Sequence, residues 1–198
     1  MSRVLELAKE LVKELEKDGR VQLSEIPEGG KFSTGIGNFI VLEQKGDSTV
    51  VITENFYVED EKFDSDCTDY KKSDLRELCD GKIYKDFWEE FGVDNILENE
   101  VDLVTVDNQD VFGRVSAKVR PLTFDEARKY NKFLVNKDLP DWYWTCTSWS
   151  TADRDWPYSV AVVSPSGYVD LNRFNYFGGV RPVCILKSNI FVSCVKED

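Results

Sequence analysis

Residues 142–183 carry ten of the chain's 25 aromatic residues and four of its five tryptophans, and no helical period fits them. Their rings must therefore be shared between a sheet core and an irregular surface, and the exposed share is where binding would occur. Beyond Pro140 the apolar period is two. Residues 159–164 and 168–172 flank Ser164-Pro165-Ser166-Gly167, in which proline presets the first turn position and glycine supplies the left-handed residue of a hairpin. In the second strand the alternation puts Val169 and Leu171 on one face and Tyr168, Asp170 and Asn172 on the other, the expected wet face. Residues 180–186 form a final apolar strand.

Upstream, the periods differ. Residues 3–17 place Val4, Leu5, Ala8, Leu11, Val12 and Leu15 on one side of a helix, with Glu6, Lys9, Glu10, Lys13 and Glu14 around it. Two heptads are too short to hold a coiled coil unaided, so this face is expected to pack on its own domain, with a homo-oligomer through the N-terminal helix as the alternative. Gly19 stops the helix. Residues 38–44 and 49–54, rich in Ile and Val, flank Lys45-Gly46-Asp47-Ser48 and predict a hairpin. Ser73 or Asp74 can cap a helix through Leu75, Leu78, Ile83, Phe87 and Phe91, closed by Gly92. Thr123 and Glu126 have capping-box spacing, which predicts a second helix over 124–134. The fold class is α+β, with two central helices and antiparallel sheets at both ends. One domain is expected over residues 21–198, with residues 1–20 as an amphipathic helical appendage.

Composition narrows the function classes. A net charge of -12 and a pI near 4.6 oppose nucleic acid and anionic membrane surfaces as partners, since both would repel the chain at long range. No run approaches the roughly 18 apolar residues of a membrane span, and the N-terminal stretch lacks a signal peptide's apolar core, so a soluble chain without membrane insertion is expected, cytoplasmic or carried on a virion. With no histidine, Ser-His-Asp and Cys-His catalysis and His-ligated metal sites are excluded. The five cysteines, Cys67, Cys79, Cys146, Cys184 and Cys194, contain no Cys-x-x-Cys pair and suit reduced, mostly buried thiols.

Four motifs occur in order. Ser73-Asp74-Leu75-Arg76 opens a helix, and Leu122-Thr123-Phe124-Asp125-Glu126-Ala127-Arg128-Lys129-Tyr130 opens another. A Trp-x-Trp-Thr-x-Thr-x-Trp-Ser strand covers residues 142–150, and Gly179-Val180-Arg181-Pro182 leads into the last strand. Over residues 26–192 this order resembles the C-type lectin fold, in the branch of formylglycine-generating-enzyme-like domains and of variable proteins of diversity-generating retroelements, and more narrowly lectin-fold domains of phage, prophage and gut bacterial proteins. The resemblance implies paired N- and C-terminal strands, with residues 39–42 beside residues 183–186. Arg181 would then be a structural arginine satisfied by carbonyls or a carboxylate, and Trp142 and Trp144, at same-face spacing, would be core.

The candidate ligand-binding residues lie in two stretches. Trp149, Asp153, Arg154, Asp155, Trp156 and Tyr158 fall in an aperiodic run that mixes rings and charges, which reads either as a loop binding site or as a hydrophilic loop with one buried tryptophan. Asp170, Asn172, Arg173, Asn175 and Tyr176 form a polar row that, in retroelement-diversified relatives, would adjoin that loop. Residues 145–180 contain no Lys, Glu, Gln or Met, the residues that adenine-specific mutagenesis of asparagine codons avoids. The calcium motifs of sugar-binding lectins are absent, and Asp64-Ser65-Asp66-Cys67-Thr68-Asp69 lacks the glycine and terminal glutamate of an EF-hand loop, so it is expected to be a solvated acidic loop and no metal or cofactor is expected. The resulting expectation is a non-enzymatic recognition module for a protein or glycan ligand on a cell surface. The alternatives are a phage assembly protein and an enzyme of the formylglycine-generating type, whose redox pair would have to come from Cys184 and Cys194.

Overall fold

The structure, a computed structural model, describes residues 3–17 and 19–195, with the side chains at 15–17 outside the description. The expected place of Leu15 on the apolar face therefore lies outside the described residues, as do residues 1, 2, 18 and 196–198 of the two expected segments. The chain is α+β, with short helices and predominantly antiparallel sheets.

In chain order the elements begin with α1 (Arg3–Lys17), β1 (Arg20–Gln22), β2 (Lys31–Thr34), β3 (Gly37–Lys45), β4 (Ser48–Thr53) and β5 (Val58–Lys62). A central helix follows, built from α2 (Asp74–Leu78), a π-helical turn (Cys79–Ile83) and α3 (Tyr84–Phe91). Next come β6 (Ile96–Leu97), β7 (Asn99–Asp102), β8 (Arg114–Ala117), β9 (Val119–Arg120), α4 (Phe124–Lys129) and α5 (Asn131–Leu134). The chain closes with β10 (Tyr143–Ser148), β11 (Ser159–Val163), β12 (Val169–Arg173), β13 (Phe177–Val180), β14 (Val183–Lys187) and β15 (Phe191–Cys194).

Local chemistry sets these boundaries. Ser73 Oγ accepts the Arg76 N–H at 3.1 Å and starts the central helix, and Gly92, at φ +82°, ends it. Thr123 and Glu126 close a full capping box at α4. The expected second helix breaks at Tyr130, which leaves helical geometry at φ -97°, ψ 9°, and resumes as α5.

The larger sheet runs β1-β15-β2-β3-β4-β14-β6, with β9 also on β14. The 38–54 hairpin forms as expected, but β14 pairs with β4 rather than with residues 39–42: Val183 faces Ile52 and Leu186 faces Thr49. The strand expected beside residues 183–186 is instead covered on its other edge by β2. The first and last strands do pair, Arg20 with Ser193 and Gln22 with Phe191.

Both faces of β3 and β4 are buried, which accounts for their unbroken apolar runs. Phe39, Val41 and Val51 join Leu75, Ile83 and Phe87 of the central helix in one core, while Ile40, Leu42, Val50 and Ile52 join Ala127, Tyr130 and Leu134 in another. Trp144 lies in the first core and Tyr143, its neighbour, in the second. Trp142 is only half-buried, against Tyr168 at a ring distance of 6.0 Å. A second sheet, β12-β11-β10-β13-β5, carries the aromatic segment.

Arg181 is fully buried where the chain passes from β13 in one sheet to β14 in the other. Its Nε donates to Thr53 O at 3.1 Å and its Nη1 to Leu134 O at 3.2 Å, and the guanidinium lies over the Tyr143 ring at 4.8 Å. It is a structural arginine, as the resemblance implied: two carbonyls satisfy its Nε and Nη1, while its buried Nη2 has no hydrogen-bond partner.

Two further expectations are overturned. The apolar face of α1 does not pack on the domain: every described side chain from Arg3 to Glu14 is exposed except Val12, which is half-buried. The 64–69 loop is not a freely solvated acidic loop either, because Asp64, Thr68 and Asp69 are buried. Asp64 accepts the N–H groups of Asp66, Cys67 and Asp74, and Asp69 accepts that of Lys71, so these carboxylates are spent on local backbone donors. Among the described residues no cluster of metal-ligating side chains is present.

A charged staple joins the hairpin to α4. Glu43, at the bulge of β3, accepts from Lys129 and from Tyr130 Oη, each at 2.6 Å, and pairs with Lys45 at 3.1 Å. Desolvation pushes this carboxyl up, but the three donors outweigh it and hold its pKa at about 2, down from 4.5. A depressed carboxylate stabilises the fold above its unfolded pKa and loses that contribution as pH falls through the folded value. The melting-temperature gap between the wild type and Glu43→Gln should therefore be constant near neutrality and shrink as pH drops from about 4.5 toward about 2. A gap that is unchanged across this window would show that the staple contributes nothing.

Candidate functional site

The loop between β10 and β11 leaves the sheet at Trp149, whose N–H donates to Ser159 O at 2.8 Å. Ala152–Arg154 make a 3-10 turn, closed by Asp155 in the left-handed region at φ 60°, and the Trp156 N–H returns to Thr151 O at 3.1 Å. The loop is anchored from below by Asp107. Its carboxylate accepts from Ser150 Oγ at 2.7 Å, from Gln109 Nε2 at 2.9 Å and from Arg154 Nη1 at 3.0 Å, and Thr105 Oγ1 adds a bond of 2.6 Å. Thr151 Oγ1 donates to Gln109 Oε1 at 2.7 Å, so the 105–109 turn and the 150–154 turn form one network. Desolvation raises the Asp107 pKa, but these donors and the Arg154 charge hold it well below the usual carboxylate range.

This geometry sorts the expected site residues. Asp153, Arg154, Asp155, Trp156, Tyr158, Arg173, Asn175 and Tyr176 are exposed. Arg154, although exposed, is committed to Asp107, and Trp149 is half-buried with its backbone in the sheet margin. Asp170 and Asn172 are half-buried too, because β12 is the sheet edge and pairs them with Val162 and Val160, both core residues of β11. Val169 and Leu171 are equally half-buried, so the clean wet face expected of β12 does not exist.

The two stretches do meet. Arg173 lies over the Tyr158 ring at 5.6 Å, the Phe174 N–H donates to Tyr158 O at 3.0 Å, and the Tyr176 N–H turns back to Arg173 O at 3.0 Å. Two further residues extend this surface. Phe177, at the start of β13, is exposed with Lys62 of β5 over its ring at 5.3 Å. Trp156, Tyr158, Tyr176 and Phe177 are each between 50% and 58% exposed, far more than rings of this size retain in a core. Phe177 was legible as an aromatic but not as exposed, and Lys62 carried no signal, since its place depends on a strand pairing across more than a hundred residues.

A groove of about 470 Å³ lies between Asp153 and Pro157 of the loop, the acidic turn at Asp66 and Cys67, and Val111 with Phe112. The Cys67 thiol is pushed up, first by burial and then by Asp64 and Asp69 nearby, against the lowering effect of a backbone hydrogen bond, so it is held protonated rather than activated. The five cysteines are unpaired. Cys184 and Cys194 sit on strands separated in the sheet order by β2, β3 and β4, roughly 19 Å at ordinary strand spacing, too far to bridge. Burial pushes the Cys79 and Cys146 thiols to about 12.

The site is thus a rigidly anchored loop beside an aromatic and cationic surface at the ends of a sheet. Comparison of the chain with models of protein families, with curated proteins and with solved structures found no match.

Proposed function

We propose that this chain is a non-enzymatic recognition module that presents the Trp156, Tyr158, Arg173, Tyr176 and Phe177 surface to a protein or glycan ligand. The observation that carries this reading is the group of large rings left half in solvent, two of them beside cations that are not used to complete a core. Rings and arginine dominate the energetics of recognition surfaces, because they offer large contact area at low conformational cost. The Asp107 network supports the reading further, since a loop fixed before binding loses little entropy when a ligand arrives.

A C-type lectin scaffold is part of the proposal. It is supported by the order hairpin, central helix, second helix, aromatic hairpin and closing strand. Diversification by a retroelement would confine sequence variation among copies of the gene to exposed positions such as Asp153, Asp155, Asn175 and Tyr176 and leave Trp144 and Arg181 constant. Copies that vary in the core as freely as on this surface would remove that part.

The test is binding to a printed glycan array and to a panel of cell-surface ectodomains. For any ligand so captured, Trp156→Ala and Tyr176→Ala should each weaken affinity about 30-fold, the equivalent of roughly 2 kcal/mol per anchor. Unchanged affinity in the combined Trp156→Ala, Arg173→Ala and Tyr176→Ala variant would place the binding surface elsewhere.

A further inference from the structure

The described side chains of helix α1, from Arg3 to Glu14, belong to neither hydrophobic core. Val4, Leu5, Leu7 and Leu11 are 47% to 75% exposed, and Ala8 is exposed as well. At 100° per residue the apolar positions, continued by Leu15 in sequence, span an arc of about 160°. A helix of 15 residues is marginal by itself in water, so a face this wide needs a cover to be stable.

Charge decides among the covers. From Arg3 to Lys17 the helix carries four basic and four acidic residues, a neutral segment on a chain of net charge -12. Helices that lie on anionic membranes concentrate Lys and Arg on the polar face, and this one does not. A strongly charged partner would likewise gain nothing from a neutral face. A copy of the same helix fits. With Val4 and Leu11 at heptad position d and Ala8 at a, Leu5 and Val12 fall at e and Leu7 at g. Apolar e and g positions widen the seam beyond what a two-stranded coil covers and suit a bundle of three or four helices. The charged flank then moves out to positions b and c, where Lys9 of one helix lies beside Glu10 of the next if the helices run parallel and in register.

We propose that α1 is a self-association helix, through which three or four copies of this chain assemble as a parallel bundle. Gly19, at φ +74°, turns the chain out of the helix into β1, so the bodies leave the bundle at one end. Several aromatic surfaces would then act together, and linked weak sites of this kind gain roughly 100-fold to 10,000-fold in avidity. The self-association does not depend on the ligand-binding reading.

Sedimentation equilibrium of the full chain, from low to high micromolar concentration, tests the proposal. The expected mass is three or four times 22.8 kDa, falling to 22.8 kDa in Leu7→Glu/Leu11→Glu with the near-UV circular dichroism of the body unchanged. Lys9→Glu should weaken assembly by setting like charges side by side, and Lys9→Glu/Glu10→Lys should restore it. A wild type of 22.8 kDa at all concentrations would overturn the proposal. So would a Leu7→Glu/Leu11→Glu variant that keeps the wild-type mass, since association would then use another face, and so would a monomer that binds neutral phosphatidylcholine vesicles through α1. Indifference of the mass to Lys9→Glu would overturn the parallel arrangement.

Discussion

Arg181→Ala should lower the free energy of unfolding by about 3–5 kcal/mol, with the urea midpoint falling and the slope of the transition unchanged. The magnitude follows from what the guanidinium does. Thr53 O ends β4 and Leu134 O ends α5, and both lose their donor when the side chain is removed. Each buried acceptor left without a partner costs roughly 1–3 kcal/mol. The Tyr143 ring loses the cation that covers it, and a cavity opens between the two sheets. Burial lowers the pKa of the guanidinium and the neighbouring Tyr143 and Glu54 act against that, but an arginine retains its proton throughout the physiological range. Arg181→Met separates the contributions: it refills most of the volume but leaves both carbonyls bare, so it should recover only part of the loss. Equal stability of the methionine variant and the wild type would show that the two carbonyl bonds are energetically idle.

Asp107→Ala should cost about 2–3 kcal/mol and loosen the 150–156 loop together with it. Ser150, Gln109, Thr105 and Arg154 all point a donor at this one carboxylate, and the alanine leaves them competing for nothing. The charge on Arg154 is 55% exposed at the side chain, so water replaces that partner cheaply, and the larger share of the loss comes from the less exposed Ser150 and Thr105. Hydrogen exchange reads the effect directly: the Trp156 amide, bonded to Thr151 O, should lose protection while the amides of β11 keep theirs. Because the Asp107 pKa is depressed on folding, its contribution is present above the ordinary carboxylate range and is lost as pH falls through the folded value. The gap between wild type and variant should accordingly close only in strong acid. Loop protection that survives the substitution would mean that the backbone turn at Asp155 holds the loop without the network.

The two variants divide the functional question. Arg181 supports the whole body, so its loss would remove binding only by unfolding the domain. Asp107 supports one loop, so at a temperature where the variant remains folded, any fall in affinity reports preorganisation of the Trp156 surface.

Much of the fold was legible because local signals and tertiary packing agree. The hairpin turns at Gly46 and Gly167, the Ser73 cap and the Thr123/Glu126 box act within a few residues, and the structure keeps each of them. The Ile- and Val-rich runs at 38–44 and 49–54 predicted a hairpin, and it forms; that its strands are buried on both faces comes from the structure. Strand order was less legible. Pairing of β14 with β4 rather than β3 depends on which edge of the hairpin is left open, and β2, a four-residue strand with mixed pattern, takes the other one. The site was half legible. The resemblance set the 170–176 row beside the loop, and Tyr158 does meet Arg173 and Phe174, but Asp170 and Asn172 are drawn inward by the valines of β11 opposite them, Arg154 is claimed by Asp107, and Lys62 and Phe177 arrive from a pairing that no local pattern encodes.

By itself, then, the sequence determined the class of elements, their caps and turns and the absence of histidine chemistry, because each of these follows from residue type and near-neighbour spacing. Only the tertiary structure decided which rings stay in solvent, which charges are already spent within the chain and that the described side chains of α1 other than Val12 are left exposed. Exposure is a property of what packs on a residue from far along the chain, and loop closure over such distances costs only a logarithm of the separation, so sequence distance sets no preference for one partner over another.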